Sequence, residues 1–462
     1  MKSLVWFRND LRVHDHPALS AACQRGLVEA VYCACVTTWR AHHMSDWRLA
    51  FQLRALQALA QELAQLGIQL TLLEVDQFSE VPDALAKYCV NNKVQAVDYI
   101  EEYPIDERRR DHAVDQVLNA QGIQTQRHIA DVVVAPGLVK TAAGKPFSVF
   151  TPFYRQWLTV ADQRPVQMVP NPVSEGVAVA ELPRSWAEVS DQFGAELWPA
   201  GEAAAHATLG HFINEGLAEY PQRRDQPGVS GTSSLSAHLA VGAISARQSV
   251  AAVTTAAEFD PDLAEGARAW VREIAWRDFY RHIVAAFDRI SFGSAFRIDT
   301  NALPWRQAPA ELAAWQAGKT GYPFVDAAMR QLTTTGWMHN RLRMVCAMFL
   351  TKHLLIDWRE GERFFMQHLV DGDFASNNGG WQWSASTGTD AAPYFRIFNP
   401  ATQGERFDPD GQYTHRYLPE LRDLSGKGLF QPPADLRGDY PAPIVDHKEA
   451  RQRALAFFKA NR

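Results

Sequence analysis

Residues 1–36 read MKSLVWFRNDLRVHDHPALSAACQRGLVEAVYCACV, and the order of their elements decides the fold class. Leu4–Phe7 is a short apolar run of the kind that forms a buried strand. A polar loop, Arg8–Asp15, follows it. Pro17 then opens a helix, in the first-turn position where its missing N–H costs nothing. Val28–Val36 reads as a second buried strand. Two buried strands joined through a helix run parallel, because a parallel pair needs a crossover connection.

The alternation continues outward from this unit. Ser45–Gly67 is a long amphipathic helix with Ser45 as N-cap and Gly67 as its stop. Leu70–Val75 and Ala96–Tyr99 repeat the strand pattern, with helices from about Val81 and Ile105. This predicts a Rossmann-like α/β domain over 1–130, a parallel sheet covered on both faces. Its ligand crevice lies beyond the carboxyl ends of the strands. No G-x-G-x-x-G follows the first strand, so a dinucleotide fingerprint is absent. Prolines 165, 170, 172, 183 and 199, without sustained periodicity, predict an interdomain linker within 131–200. Beyond it the strand signal fades. Helical periods at Gly201–Glu215, Leu235–Val253, Leu263–Phe287, Ala310–Ala317, Val325–Leu332 and from Asn340 predict an all-helical domain over 201–462.

Composition narrows the function classes. The chain is 47% hydrophobic and 21% charged, the balance of a soluble globular protein. Its five cysteines include no C-x-x-C pair, which argues for a reducing compartment. The N-terminal apolar run is too short for a signal peptide, and no window approaches a membrane span, so a cytoplasmic protein is expected. The net charge of −6 leaves room for nucleic-acid binding only through a local basic face. Gly318-Lys319-Thr320 resembles the end of a P-loop, but Ala313 stands where the leading glycine belongs. None of the fifteen histidines falls in a spacing that holds a metal, and no metal is expected.

Residues 371–400, DGDFASNNGGWQWSASTGTDAAPYFRIFNP, form the densest chemical stretch. Asp371, Gly372 and Asp373, the amides Asn377 and Asn378, a glycine pair and Trp381-x-Trp383 suit a flat polar heteroaromatic. They equally suit an aromatic turn with its acids as helix caps. Upstream, Trp270, Glu273, Arg277 and Arg281 share one helix face, with Trp276 beside them. Burying those groups together requires a polar partner. Trp337–Met344 adds Asn340, Arg341 and Arg343, and the hydroxyls of Gly231–Ser236 at a helix start offer an anion site.

With VWFRNDLRVHD at 5–15, KTGYPFVDAAMRQLTTTGWMHNRLRMV at 319–345, DWREGERFF at 357–365 and STGTDAAPYFRIFNP at 386–400, the chain resembles the photolyase/cryptochrome family. It is most similar to the bacterial class I photolyases that repair cyclobutane pyrimidine dimers. The resemblance implies folded FAD in the helical domain. Tyr220, Thr232, Ser233, Leu235 and Ser236 would hold its pyrophosphate region, with Ser234 where the family often has Arg. Trp270, Glu273, Arg277, Asn340, Arg343, Asp371, Gly372, Asp373 and Asn377 would line the cofactor, Arg343 pairing with Asp371. Asn377 would face flavin N5. Trp381, Trp358 and Trp305 match the chain that delivers electrons to an oxidised flavin.

The same resemblance implies damaged DNA as partner, with the lesion flipped out of the stack. Trp276 and Trp383 would flank the dimer, Glu273 would bond its edge, and Asn340 and Met344 would complete the catalytic pocket. Arg224, Arg341 and Gln403 match DNA-backbone contacts, joined by Arg223, Arg281 and Arg396 in a basic face. An antenna chromophore, 5,10-methenyltetrahydrofolate, is expected near Asp106 and Glu107, although Ser291 and Phe292 replace a Cys–Lys pair of the folate-binding relatives. A monomer is expected. Two competing readings are a cryptochrome-type photoreceptor, disfavoured by Asn377, and a thermal flavin oxidoreductase, for which no nicotinamide site is visible.

Overall fold

The computed structural model describes residues 1–161 and 176–461. Packing divides them into two compact units. One comprises Met1–Ala218, Ser233–Asp288 and Val370–Gly372, the other Glu219–Thr232, Arg289–Leu369 and Asp373–Arg462. The expected linker falls partly on 162–175, outside the described residues. The helices Glu202–Glu215, Ser236–Val241, Ala246–Phe259 and Ala264–Ala286 belong to the sheet-bearing unit, whereas Tyr220–Arg223 belongs with the later helices.

The first unit is built on five parallel strands, β1 (Lys2–Phe7), β2 (Leu27–Ala34), β3 (Leu70–Glu74), β4 (Ala96–Ile100) and β5 (Gln124–His128), in the order β3-β2-β1-β4-β5. This is a doubly wound sheet whose strand order reverses beside β1. β1 is central and its side chains from Ser3 to Phe7 are all buried, as a two-sided strand requires. β5, QTQRH, lies at the edge and is largely exposed, which is why no apolar pattern announces it. The helix Asp46–Gln65 begins where the sequence places it, with Ser45 accepting from the Arg48 amide.

Two expectations within this unit are corrected. The segment assigned to a linker contains the helix Phe150–Ala161 and a small antiparallel pair, Ser185–Trp186 with Val189–Ser190. The single helix expected over Leu235–Val253 is two, Ser236–Val241 and Ala246–Phe259. Gly242 separates them at φ 68, and a Cβ there would meet Asn9 and come within 2.6 Å of the Asp10 Cα. Ser245 then restarts the chain with a capping box to Gln248.

The second unit is helical. Its core gathers Trp315, Phe324, Met329, Leu342, Val345, Trp358, Phe365 and Trp381 from the helices Pro309–Gln316, Pro323–Thr335, Asn340–Met348, Trp358–Met366 and Phe374–Ala385. No described helix is long and apolar enough to cross a membrane.

Candidate functional site

In the first unit, the helix Ala264–Ala286 carries Trp270, Glu273, Trp276, Arg277 and Arg281. Trp270 is buried and its ring sits 5.9 Å from that of Phe212. Trp276 is half-buried, and one face of its indole is covered by Phe150, stacked at 3.6 Å with the planes 8° apart. Such a stacked aromatic fixes the indole's plane before any ligand arrives. The guanidinium of Arg272 lies 5.7 Å from the Phe150 ring and 6.0 Å from Tyr154. Phe150 and Tyr154 were not anticipated. Their signal was present in Phe150, Phe153, Tyr154 and Trp157, apolar at i, i+3, i+4 and i+7.

The two arginines of this helix find their partner inside the protein. Arg277 donates to the Asp131 carbonyl and carboxylate and to the Leu239 carbonyl, and Arg281 donates to the other Asp131 oxygen. Burial alone would raise the Asp131 carboxyl, but Arg277 and then Arg281 bring it down to about 2. Arg281 is only 5% exposed, with its charge paired to Asp131. Arg277 spends its terminal nitrogens on the scaffold and anchors the helix.

The crevice at the carboxyl end of the sheet is crowded with charge. Arg8 lies over the Trp6 ring at 4.3 Å and reaches Asp111 at 3.2 Å, while Arg110 bonds Glu102 and Asp111, both at 2.7 Å. Arg8 Nε and Nη2 remain buried without a partner among the described residues. Unsatisfied buried donors at a topological switch point suit a ligand rich in acceptors. Asp106 and Glu107 start the adjacent helix Ile105–Ala120. Asp106 is engaged by His42 at 3.5 Å and Arg109 at 3.6 Å. Burial, with Glu102 next, raises the Glu107 carboxyl to about 7.

Tyr220–Ser236 is one continuous segment. Tyr220 is buried under the Arg224 guanidinium, 5.1 Å from its ring. Gly231 passes so close to Arg223 that a Cβ would lie 2.8 Å from its carbonyl carbon. The Thr232 and Ser233 hydroxyls have no hydrogen-bond partner among the described residues, ahead of the helix Ser236–Val241 with Leu235 at its cap. Ser234 holds φ 53, a left-handed conformation that favours glycine.

In the second unit, the helix Asn340–Met348 presents Asn340 exposed and Arg341, Arg343 and Met344 half-buried. Arg343 Nε donates to the Met338 carbonyl at 2.8 Å. Arg341 pairs with Asp225 at 2.8 Å and lies 4.5 Å from the Phe407 ring, with its own Nε and the Gln403 Oε1 buried and unpartnered among the described residues. Arg223 pairs with Glu219, and Arg396 is exposed. The helix Phe374–Ala385 starts at Asp373, whose carboxylate accepts from the Ser376 amide at 2.8 Å, so the cap reading of that acid holds. Asp371 is buried. Asn377 Nδ2 donates to the Glu362 carbonyl at 3.0 Å, leaving its Oδ1 without a described protein partner. Beside it runs a chain that was not anticipated. Asn378 donates to Glu362 Oε1 at 2.9 Å, Gln382 donates to Asn378 at 2.7 Å, and the Phe296 amide donates to Gln382 at 2.7 Å. Burial raises the Glu362 carboxyl to about 7 against the pull of that Asn378 bond.

Trp381 and Trp358 are fully buried, whereas Trp305 is half-exposed. Trp381 is held edge-on by Phe365 at 4.9 Å and Trp315 at 6.0 Å. The Arg359 guanidinium sits 4.6 Å from the Trp358 ring. Trp383 is half-buried.

Two protein families match the chain, one described as DNA photolyase over residues 3–173 and one as the FAD binding domain of DNA photolyase over 270–460. The deoxyribodipyrimidine photo-lyase of Escherichia coli is 45% identical over 99% of this chain and 98% of its own. A bacterial class III photolyase from Agrobacterium tumefaciens superposes with a TM-score of 0.85 at 34% identity, covering 100% of this chain and 97% of that one. A Synechocystis cryptochrome has a TM-score of 0.84 at 28% identity, covering 99% of each chain.

Proposed function

Because the chain belongs to the DNA photolyase family, whose reaction is the light-driven repair of pyrimidine dimers, we propose how its own residues divide that work. The residues below would hold reduced FAD, which would supply the light-driven electron transfer to and from the dimer. The donor and acceptor set fits the cofactor. Thr232 and Ser233 offer unpaired hydroxyls to a pyrophosphate, with Tyr220, Ser234, Leu235 and Ser236 shaping the turn. Asn377 presents an unmatched carbonyl oxygen, the neutral acceptor that a flavin N5–H requires, and its amide is fixed by Glu362. Trp270, Asn340, Arg343, Asp371, Gly372 and Asp373 complete the cofactor's surroundings in this reading.

Recognition of the lesion rests on flat and polar surfaces. Trp276 and Trp383 each offer an indole face to the flipped dimer, and Phe150 holds the plane of the first. Glu273 accepts a hydrogen bond from the pyrimidine N–H edge and so orients the lesion. Asn340 and Met344 are assigned to lesion recognition as well. Arg224, Arg341 and Gln403, with Arg223 and Arg396, position the DNA backbone. Trp305, Trp358 and Trp381 carry electrons inward from the half-exposed end. The charged crevice beside β1, with Glu107, takes an acceptor-rich antenna such as 5,10-methenyltetrahydrofolate. The protein works as a cytoplasmic monomer.

The observation that carries the lesion assignment is the presentation of Trp276, half-buried, with one face already stacked and on the same helix as Glu273. Glu273→Ala tests it. Repair of a dimer-bearing oligonucleotide should slow by one to two orders of magnitude, roughly the cost of a lost hydrogen bond to a charged group. The flavin absorbance of the purified protein should stay unchanged. Repair at the wild-type rate would remove Glu273 from the pocket.

A further inference from the structure

Within the sheet-bearing unit, away from every residue assigned above, two histidines and a carboxylate converge from distant parts of the chain. His14 Nδ1 lies 2.8 Å from Glu202 Oε1, and His206 Nε2 lies 3.4 Å from the same oxygen. The imidazoles meet edge to face with centroids 5.7 Å apart. One ligand atom from each of the three residues falls within 4.8 Å of the others.

We propose that His14, Glu202 and His206 form a binding site for a divalent transition-metal cation of the zinc class. Zinc bonds of about 2.0–2.1 Å in a tetrahedron place neighbouring ligand atoms about 3.3–3.4 Å apart. The Glu202–His206 separation of 3.4 Å already has that value, and the 2.8 Å between His14 and Glu202 would open by about half an ångström. Two imidazoles with a carboxylate favour zinc and its neighbours over magnesium or calcium, which take oxygen ligands.

The surroundings hold these groups in place. Glu202 opens the helix Glu202–Glu215, so it and His206, one turn later, share a face. Its second oxygen accepts the Val13 amide at 2.7 Å, the kind of outer contact that fixes a ligating carboxylate. Arg12 is fully buried and donates to the His14 and Asp15 carbonyls, both at 3.1 Å, which fixes the loop that presents His14. Gly201, at φ 98, lets the helix start against Ala58, where a Cβ would come within 2.6 Å.

A further carboxylate stands beside the cluster. Glu62, from the helix Asp46–Gln65, lies within hydrogen-bonding reach of Glu202, and its Oε2 is buried with no partner among the described residues. The half-exposed imidazoles, 47% and 43% open at the side chain, give the ion a route from solvent. Histidine spacing along the sequence could not reveal this site, because one ligand precedes the others by most of the unit. Once bound, the metal fastens the loop after β1 to the helix Glu202–Glu215.

The test is a calorimetric titration of tag-free, chelator-washed, flavin-loaded full chain with Zn²⁺, and separately with Mg²⁺. The site predicts one Zn²⁺ per chain, no comparable heat from Mg²⁺, and a rise in thermal midpoint with Zn²⁺. His14→Gln and His206→Gln should each weaken Zn²⁺ binding by about a hundredfold or more, since even outer-shell partners are worth about 10–100-fold. A His42→Gln/His43→Gln variant should bind as the wild type does. Equal Zn²⁺ affinity in the wild type and both single variants, equal binding of Mg²⁺, or no thermal shift with Zn²⁺ would each overturn the proposal.

Discussion

Gly361 separates structural tolerance from electron delivery. It lies in the helix Trp358–Met366, and the Trp381 indole rests directly on its Cα face. A Cβ added there would lie 2.6 Å from Trp381 Cζ2, with two further ring carbons closer still. Carbon atoms settle at about 3.5–4.0 Å, so Gly361→Ala forces the indole back by about 1 Å or more. The ring has little room to yield, because Phe365 and Trp315 hold it edge-on and it is only 2% exposed. Overpacking of this kind costs about 1–3 kcal/mol. That exceeds the fraction of a kcal/mol by which alanine improves a helix over glycine, about 0.8–1.0. The assay pairs denaturant unfolding with two light reactions. Photoreduction of oxidised flavin should slow, because Trp381 heads the proposed electron path, while repair by chemically reduced protein should be retained. Unchanged stability with unchanged photoreduction would refute both the packing argument and the placement of Trp381 in that path.

Other perturbations separate the remaining parts. Trp305→Phe removes the half-exposed end of the path, so photoreduction should fail while stability moves by less than about 1 kcal/mol and repair by reduced protein persists; normal photoreduction would exclude Trp305. Asp131→Asn removes the carboxylate that Arg277 and Arg281 share and should cost about 3 kcal/mol, the low end for breaking a buried pair, since the Asp131 side chain is 22% exposed. Because that carboxyl sits at about 2 in the folded protein, below its ordinary 3.8, its stabilisation is present above pH 4 and is lost as pH falls toward 2. Unfolding free energy against pH should therefore be flatter in that window for the variant, and an identical acid profile would contradict the pairing. Asn377→Asp forfeits the 3.0 Å bond to the Glu362 carbonyl and adds charge near a carboxyl already raised to about 7. Reduced flavin should then reoxidise faster in air, as read from its absorbance, and an unchanged rate would remove Asn377 from the flavin.

The fold was legible where burial imposes a simple period. Leu4–Phe7 and most of Val28–Ala34 are apolar because β1 and β2 are covered on both faces, although β2 ends at Ala34 and Val36 begins a helix, and Ser45 caps the long helix as its side chain dictates. β5 escaped because an edge strand of Gln, Thr, Arg and His carries no such pattern. The break at Gly242 escaped because its cause is the tertiary approach of Asn9 and Asp10, which no local propensity encodes. In the site, residue types were readable but partners were not. Arg277 and Arg281 were correctly seen as costly to bury, yet their counter-charge, Asp131, comes from a distant loop. Phe150 was obscured because its helix borders a proline-rich segment whose composition dominated the reading. The histidine–glutamate cluster is likewise assembled only by the fold.

The central claim is light-driven repair, and one measurement tests it most directly. Dithionite-reduced protein is illuminated without oxygen on an oligonucleotide carrying a single cyclobutane thymine dimer, beside a dark control. Restoration of thymine absorbance in the light alone is the result this account predicts. No restoration, with flavin demonstrably bound and reduced, would contradict it and leave a photoreceptor of the same fold as the reading to pursue.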